Sequence, residues 1–122
     1  YGDLDARQNS RIMQNIISNS KKRDGLRMWF QQGSKDEDSD RDNDGIIDAI
    51  DDCKDLILGY EKPKGNIITN GLISLGYSYN LNYPTDSDIT KDITYYEIVN
   101  GYHNQSTWKV AIPHFLKWAY SK

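Results

Sequence analysis

The chain has 122 residues, enough for one domain or for part of a larger one. Its formal net charge is −3 and its only basic run is Lys21-Lys22-Arg23, so the composition predicts neither a nucleic-acid partner nor a membrane partner. The single cysteine, Cys53, excludes an intramolecular disulfide framework, and no signal peptide or membrane-spanning apolar run is recognisable.

The first half of the chain predicts two helices separated by a strand. Apolar residues recur at helical spacing over residues 6–20, which have acidic residues before them and basic residues after them. The short apolar run from Leu26 to Phe30, ending at Gly33, is typical of a buried strand. A second helix is predicted from Ile46 to Leu58, and the segment Lys62-Pro63-Lys64-Gly65 ends it.

Residues 40–51 have the pattern of a twelve-residue calcium loop. Side-chain oxygens occupy loop positions 1, 3, 5, 9 and 12, a glycine occupies position 6 and an aliphatic residue position 8. We therefore expect one Ca²⁺ ion held by Asp40, Asp42, Asp44, the main-chain carbonyl of Ile46, Asp48 and Asp51. Asp51, in place of the usual glutamate, is similar to the dockerin variant of this loop. The alternative interpretation is a solvated acidic linker.

The second half of the chain predicts a strand and a closing helix. Residues 67–79 fit either a helical piece or a strand, and residues 80–91 are predicted to form a loop. The β-branched and aromatic run Ile93–Val99 predicts a strand that ends in the turn Asn100-Gly101-Tyr102-His103. Residues 105–120 predict a helix, open to a kink at Pro113, whose apolar side is formed by Trp108, Ile112, Phe115, Leu116 and Trp118. This alternation of helices and strands predicts an α/β fold with parallel strands and crossover helices.

Two of the predicted strands end beside a side chain with catalytic potential. Asp36 follows the first strand and His103 follows the last. Parallel strands would bring both ends to one edge of the sheet, where ligands bind in open α/β folds. A carboxylate can orient a histidine that acts as a general base, and their order in the chain is that of an α/β-hydrolase. The alternative is that Asp36 is a turn residue and that His103 is structural or merely exposed.

Three segments resemble one esterase branch of the α/β-hydrolases, which includes enterochelin esterases, feruloyl and acetyl-xylan esterases and esterase D. They are Trp29–Glu37, Tyr95–Asn104 with Thr107-Trp108, and Pro113–Trp118. The resemblance implies a partial α/β-hydrolase fold, namely the C-terminal portion of such a domain. It also implies that Asp36 is the triad acid and His103 the triad base, while His114 matches no catalytic position.

The resemblance further implies acyl transfer from an ester substrate, which in this family can be linked to carbohydrate or to a siderophore. The chain contains no Gly-x-Ser-x-Gly motif, so the nucleophile is expected in an upstream part of the same hydrolase, and this chain alone should be inactive. The chain begins at Tyr1 without a methionine, which also leads us to expect an upstream part. Calcium would have a structural role next to Asp36, and a periplasmic or secreted parent protein is expected.

Two other function classes remain open. The chain could be a non-enzymatic calcium-binding interaction module similar to dockerin, although dockerins carry two such loops and only one occurs here. It could also be an inactive scaffold or a carbohydrate-binding remnant. A sugar-stacking platform would use Tyr77, Tyr79, Tyr83, Tyr102 and Trp108. Against this, Trp108 is expected in the core and the tyrosines along a surface loop.

Overall fold

The computed structural model describes residues 16–40, 43, 45–59 and 70–121. The chain divides into two compact units, one comprising Tyr1–Asp24 and Ser39–Tyr77 and the other Gly25–Asp38 and Ser78–Lys122. Residues 16–18 are helical and residues 19 and 20 are not, so the first predicted helix ends before residue 20, while its residues 6–15 and the predicted break at 62–65 lie outside the described residues. Among the described residues, no helix is long and apolar enough to cross a membrane.

The first unit contains helix α1 (Asp48–Leu58) and a short 3₁₀ helix (Leu72–Leu75). Helix α1 begins two residues later than predicted and buries Ile50 and Ile57. It ends at Gly59, whose main-chain N–H donates to the carbonyl of Asp55 at 2.8 Å. The ambiguous residues 67–79 contain this 3₁₀ helix, followed by the start of a strand.

The second unit contains a sheet of three parallel strands and the helix α2 (Gln105–Ala119). The strands are β1 (Met28–Lys35), β2 (Tyr79–Tyr83) and β3 (Ile93–Tyr102), in the order β1-β3-β2. Consecutive β3 residues from 93 to 96 are all buried, so both faces of the central strand are covered. Burial of both faces is typical of parallel sheets, and the predicted α/β class with parallel strands is confirmed.

The prediction of a loop over residues 80–91 is wrong for residues 80–83, which belong to β2, and is confirmed for residues 84–91. Asparagine has a low strand propensity, but Asn80 is buried here and its side-chain amide donates to the carbonyls of Asp86 and Asp88, each at 2.9 Å. These bonds hold the following loop against the strand. Residues 84–92 then join β2 to its parallel neighbour without a helix, so the general expectation of crossover helices between parallel strands does not hold for this pair.

Strand β3 continues through the residues predicted as a turn and ends at Tyr102. A bulge makes this possible: between the pairs Gly33↔Ile98 and Lys35↔Tyr102, β1 advances by two residues and β3 by four. Within the bulge, Asn100 has a left-handed backbone with φ of 61°, and its N–H donates to the Ser34 hydroxyl at 2.7 Å. The bulge moves the end of β3 back alongside the end of β1.

Helix α2 turns a different face to the sheet from the one predicted. Its buried residues are Thr107, Ala111 and Trp118, and of the predicted apolar side only Trp118 is among them. The others are 37–53% exposed: Trp108, Ile112, Phe115 and Leu116. The phase of the helix is set at its start, where the hydroxyl of Thr107 accepts the N–H of Tyr102 at 2.8 Å. The helix continues through Pro113.

An aromatic cluster fills the space between α2 and the sheet. The ring of Trp29 lies 5.4–6.2 Å from those of Tyr83, Tyr96, Phe115 and Trp118. The hydroxyl of Tyr83 lies 2.7 Å from Nδ1 of His114, and burial raises the pKa of that phenol, so it stays protonated and able to donate. His114 is therefore a packed helix residue.

The first prediction concerns Gly33. A β-carbon at this position would collide with the carbonyl oxygen of Gly101, and both strands are main chain at this point, so neither can move away easily. We expect Gly33→Ala to lower the free energy of unfolding by about 1–3 kcal/mol or more, measured by urea denaturation. Gly25→Ala is the matched control, because nothing lies within 4 Å of its added β-carbon and only its φ of +80° opposes the change. An equal loss in both variants would contradict this account.

The second prediction concerns Tyr83 and His114. Each replacement, Tyr83→Phe and His114→Ala, should destabilise the protein by about 1–3 kcal/mol, because each leaves the partner's polar atom without its hydrogen bond. The double variant should lose less than the sum of the two single losses, since the shared bond is removed only once. Urea denaturation of all four proteins measures this coupling. Strict additivity would show that the contact contributes nothing to stability.

Candidate functional site

The carboxyl ends of β1 and β3 lie side by side. Lys35 and Tyr102 are register partners, and Asp36 and His103 are the residues that directly follow them. The structure therefore brings the two predicted catalytic residues to the same edge of the sheet. The β3 bulge is essential to this placement, because an unbroken register would pair Lys35 with Asn100 and leave His103 beyond the end of β1.

Asp36 closes a tight turn on the end of its own strand. Its carboxylate accepts the main-chain N–H of Gly33 at 3.1 Å, and its own N–H donates to the carbonyl of Gly33 at 3.1 Å. The side chain is half-buried, and its orientation is fixed by a backbone donor. A carboxylate has about four acceptor positions, so this bond leaves capacity for a second donor.

His103 is exposed, and its described ring contact is with Trp108. The two ring centroids are 5.3 Å apart and the planes are nearly perpendicular, at 89°. In the part of the chain that the structure describes, no hydrogen bond or ion pair joins His103 to Asp36. The prediction that Trp108 lies in the core is wrong, because this side chain is 40% exposed. Its position in the first turn of α2 brings it close to the preceding turn.

The edge also carries an exposed aromatic and a cationic side chain. Tyr102 is 52% exposed, and the ammonium group of Lys35 lies 5.7 Å from the centre of its ring. Tyr102, Lys35 and Trp108 are all exposed at this end of the sheet, and side chains of these types can contact a planar or anionic ligand. The five-residue sugar platform is not formed, because Tyr77 and Tyr83 are each only 6% exposed.

The predicted calcium loop is described in part. The Asp40 carboxylate accepts the N–H of Gly45 at 2.9 Å, and the Asp40 carbonyl accepts the N–H of Asn43 at 3.3 Å. Asn43 and Gly45 both have left-handed backbones, with φ of 57° and 86°. The chain thus reverses around the first predicted ligand, as a short cation loop requires.

The later predicted ligands lie at the start of α1. Asp48 is 6% exposed, its N–H donates to the carbonyl of Ser39 at 2.8 Å, and its carboxylate accepts the Ser39 hydroxyl at 2.6 Å. Asp51 is in the same first helical turn, and Ile46 lies just before it. Asp42 and Asp44 lie outside the described residues. Within the described part, no group of three His, Cys, Asp or Glu side chains is arranged to hold a metal ion.

The donor set of the loop fits a hard cation. The described candidates, Asp40, Asp48 and Asp51 with the carbonyl of Ile46, are all oxygen donors, which Ca²⁺ prefers. Asp40 and Asp48 already belong to ordered turns, so two of these donors are held in place by the backbone around them.

The one cysteine does not supply a nucleophile. Cys53 lies within α1, and burial raises the pKa of its thiol to about 12. The thiol is therefore protonated at neutral pH, whereas a nucleophilic cysteine requires a thiolate. Acyl transfer at the strand edge would have to use a different attacking group.

Comparison with protein-family models, with curated proteins and with solved structures finds no match to this chain.

Proposed function

We propose that the chain supplies the acid and the histidine of an esterase-like serine hydrolase of the α/β class. The observation that supports the proposal is the register of Lys35 with Tyr102, because Asp36 and His103 directly follow these partners at the carboxyl edge of parallel strands. The resemblance of the segments around both residues to esterases supports the same assignment.

The proposed mechanism gives each residue one role. His103 takes the proton of a serine that attacks the ester carbonyl, and it then returns the proton to the leaving alcohol. Asp36 stabilises the imidazolium formed between these steps. It can accept the Nδ1–H of His103 on one oxygen while the other keeps the N–H of Gly33. The serine would come from an upstream part of the same protein, because this chain has no nucleophile elbow.

The substrate proposed for the complete enzyme is an ester with a planar or carbohydrate-linked group. Tyr102 and Trp108 are exposed next to His103 and would offer aromatic faces to such a group. Lys35 adds a positive charge at the same edge, which would suit an anionic substituent such as a siderophore carries.

The third prediction tests catalysis. The 122-residue chain should not hydrolyse p-nitrophenyl acetate or butyrate, whereas the protein encoded by the complete reading frame should. In that protein, His103→Ala and Asp36→Asn should each lower kcat/KM by about 10⁴-fold, because the base or its orienting charge is lost. His114→Ala is the matched histidine control and should leave kcat close to the parent value, since His114 packs against Tyr83. Undiminished hydrolysis by His103→Ala would overturn the proposal.

A second candidate function is calcium binding, which the loop around Asp40 favours. We propose one Ca²⁺ ion held by Asp40, Asp42, Asp44, the Ile46 carbonyl, Asp48 and Asp51. The hydrogen bond from Gly45 to Asp40 and the two left-handed residues support it, because they create the reversal that such a loop needs. If calcium binding is the whole function, the chain is the dockerin-like interaction module and the strand edge is not catalytic.

The fourth prediction tests the metal site by calorimetry. Titration with Ca²⁺ should release or absorb heat at a one-to-one ratio and bind more tightly than Mg²⁺, because the loop suits the larger and more flexible cation. A hundredfold excess over Kd should add about 2.7 kcal/mol to the free energy of unfolding. Asp40→Ala should weaken binding at least tenfold. Asp38→Ala, an exposed carboxylate just before the loop, is the control and should bind like the parent. Equal affinity for both cations would contradict the site.

A further inference from the structure

The contact between His103 and Trp108 belongs to a rigid connection between β3 and α2. The N–H of Tyr102 donates to the hydroxyl of Thr107 at 2.8 Å, and the N–H of Asn104 donates to the carbonyl of Tyr102 at 2.9 Å. The histidine turn is therefore fixed at both ends by backbone donors.

The start of α2 is fixed by the same few residues. The side chain of Asn104 caps the helix by accepting the N–H of Thr107 at 3.1 Å. The main-chain carbonyl of Asn104 accepts the N–H of Trp108 at 3.2 Å. Trp108 thus projects from a capped first turn, and its position relative to His103 is determined by local hydrogen bonds. No atom of β1 takes part in them.

The ring geometry indicates an attractive contact. The centroid separation of 5.3 Å and the interplanar angle of 89° are those of an edge-to-face pair, in which a positive ring edge meets a negative ring face. Trp108 is 40% exposed, so the bulk of the indole is not required to fill the core.

We propose that Trp108 is the positioning residue of His103. The indole contacts the imidazole from the side of α2 and fixes the plane of the histidine ring. Asp36 then acts on His103 mainly through its negative charge and less by orienting the ring. The role in catalysis rests on the function proposed above, whereas the positioning itself does not.

The test uses the 122-residue chain and does not depend on ester hydrolysis. The ring-proton resonances of His103 are assigned by their loss in His103→Ala, and those of His114 by their loss in His114→Ala. In the parent, a nuclear Overhauser effect should connect the His103 and Trp108 rings, and the indole should displace the His103 shifts from those of a free histidine. In Trp108→Ala the displacement should vanish, and in Trp108→Phe part of it should remain.

The controls separate positioning from folding. Ile112→Ala removes a large exposed side chain from the same helix face and should leave the His103 shifts unchanged. The Overhauser effect is measured on the unaltered chain, so it stands even if Trp108→Ala unfolds. Absence of that effect, or His103 shifts that are the same with and without the indole, would overturn the proposal.

The complete protein separates the two proposals. If His103 is catalytic, Trp108→Ala should lower kcat by up to about a hundredfold with little change in KM, and Trp108→Phe should restore most of the loss. If the Overhauser effect is present but no variant of His103 affects hydrolysis, the esterase function fails while the orienting contact stands. If kcat is unchanged in Trp108→Ala although His103 is essential, the positioning role in catalysis is overturned.

Discussion

The close approach of the Gly33 and Gly101 backbones is the constraint on which the second unit depends. A side chain at Gly33 would collide with the Gly101 carbonyl, so the strands can meet here only as bare main chain. The β3 bulge lies at this close backbone contact, and the bulge makes Tyr102 the register partner of Lys35. Because Tyr102 also donates to Thr107, the same short stretch sets the phase of α2. The register of the strand ends, and with it the placement of Asp36 and His103 at one edge, therefore depends on one contact between two backbones.

The elements that the sequence predicted well were those with a strong composition. Strand β3 is rich in β-branched and aromatic residues, and α1 has acidic residues in its first turn and apolar residues at helical spacing. Strand β2 was not predicted because asparagine is typical of loops. Asn80 can nevertheless be buried in the strand, because its side-chain amide donates to the carbonyls of Asp86 and Asp88. The face of α2 was assigned wrongly because large apolar residues occur on two sides of it. A small residue, Thr107, decides between these sides through a hydrogen bond that no pattern reveals.

For the candidate site, the sequence could predict the place but not the side-chain partners. Parallel topology predicts that β1 and β3 end at one edge of the sheet, but the β3 bulge that brings His103 level with Asp36 was not predicted. The direction of each side chain depends on contacts of a few ångströms with Gly33 and with Trp108. The predicted calcium loop is a different case, because the spacing of the donors is itself the prediction. Its described part shows a backbone reversal at Asn43 and Gly45, but no assembled group of three acidic ligands.

The distribution of the second unit along the chain has a consequence for its assembly. Strands β2 and β3 are separated by residues 84–92 and α2 follows directly, whereas β1 pairs with β3 across residues 36–92. Closing the longer loop costs more conformational entropy, so we expect β2, β3 and α2 to associate before β1 joins them. His103 and Trp108 would then meet in a partly folded chain, and Asp36 would arrive last. The histidine would be in position before its acid, and loss of β1 would detach the acid while leaving the histidine turn formed.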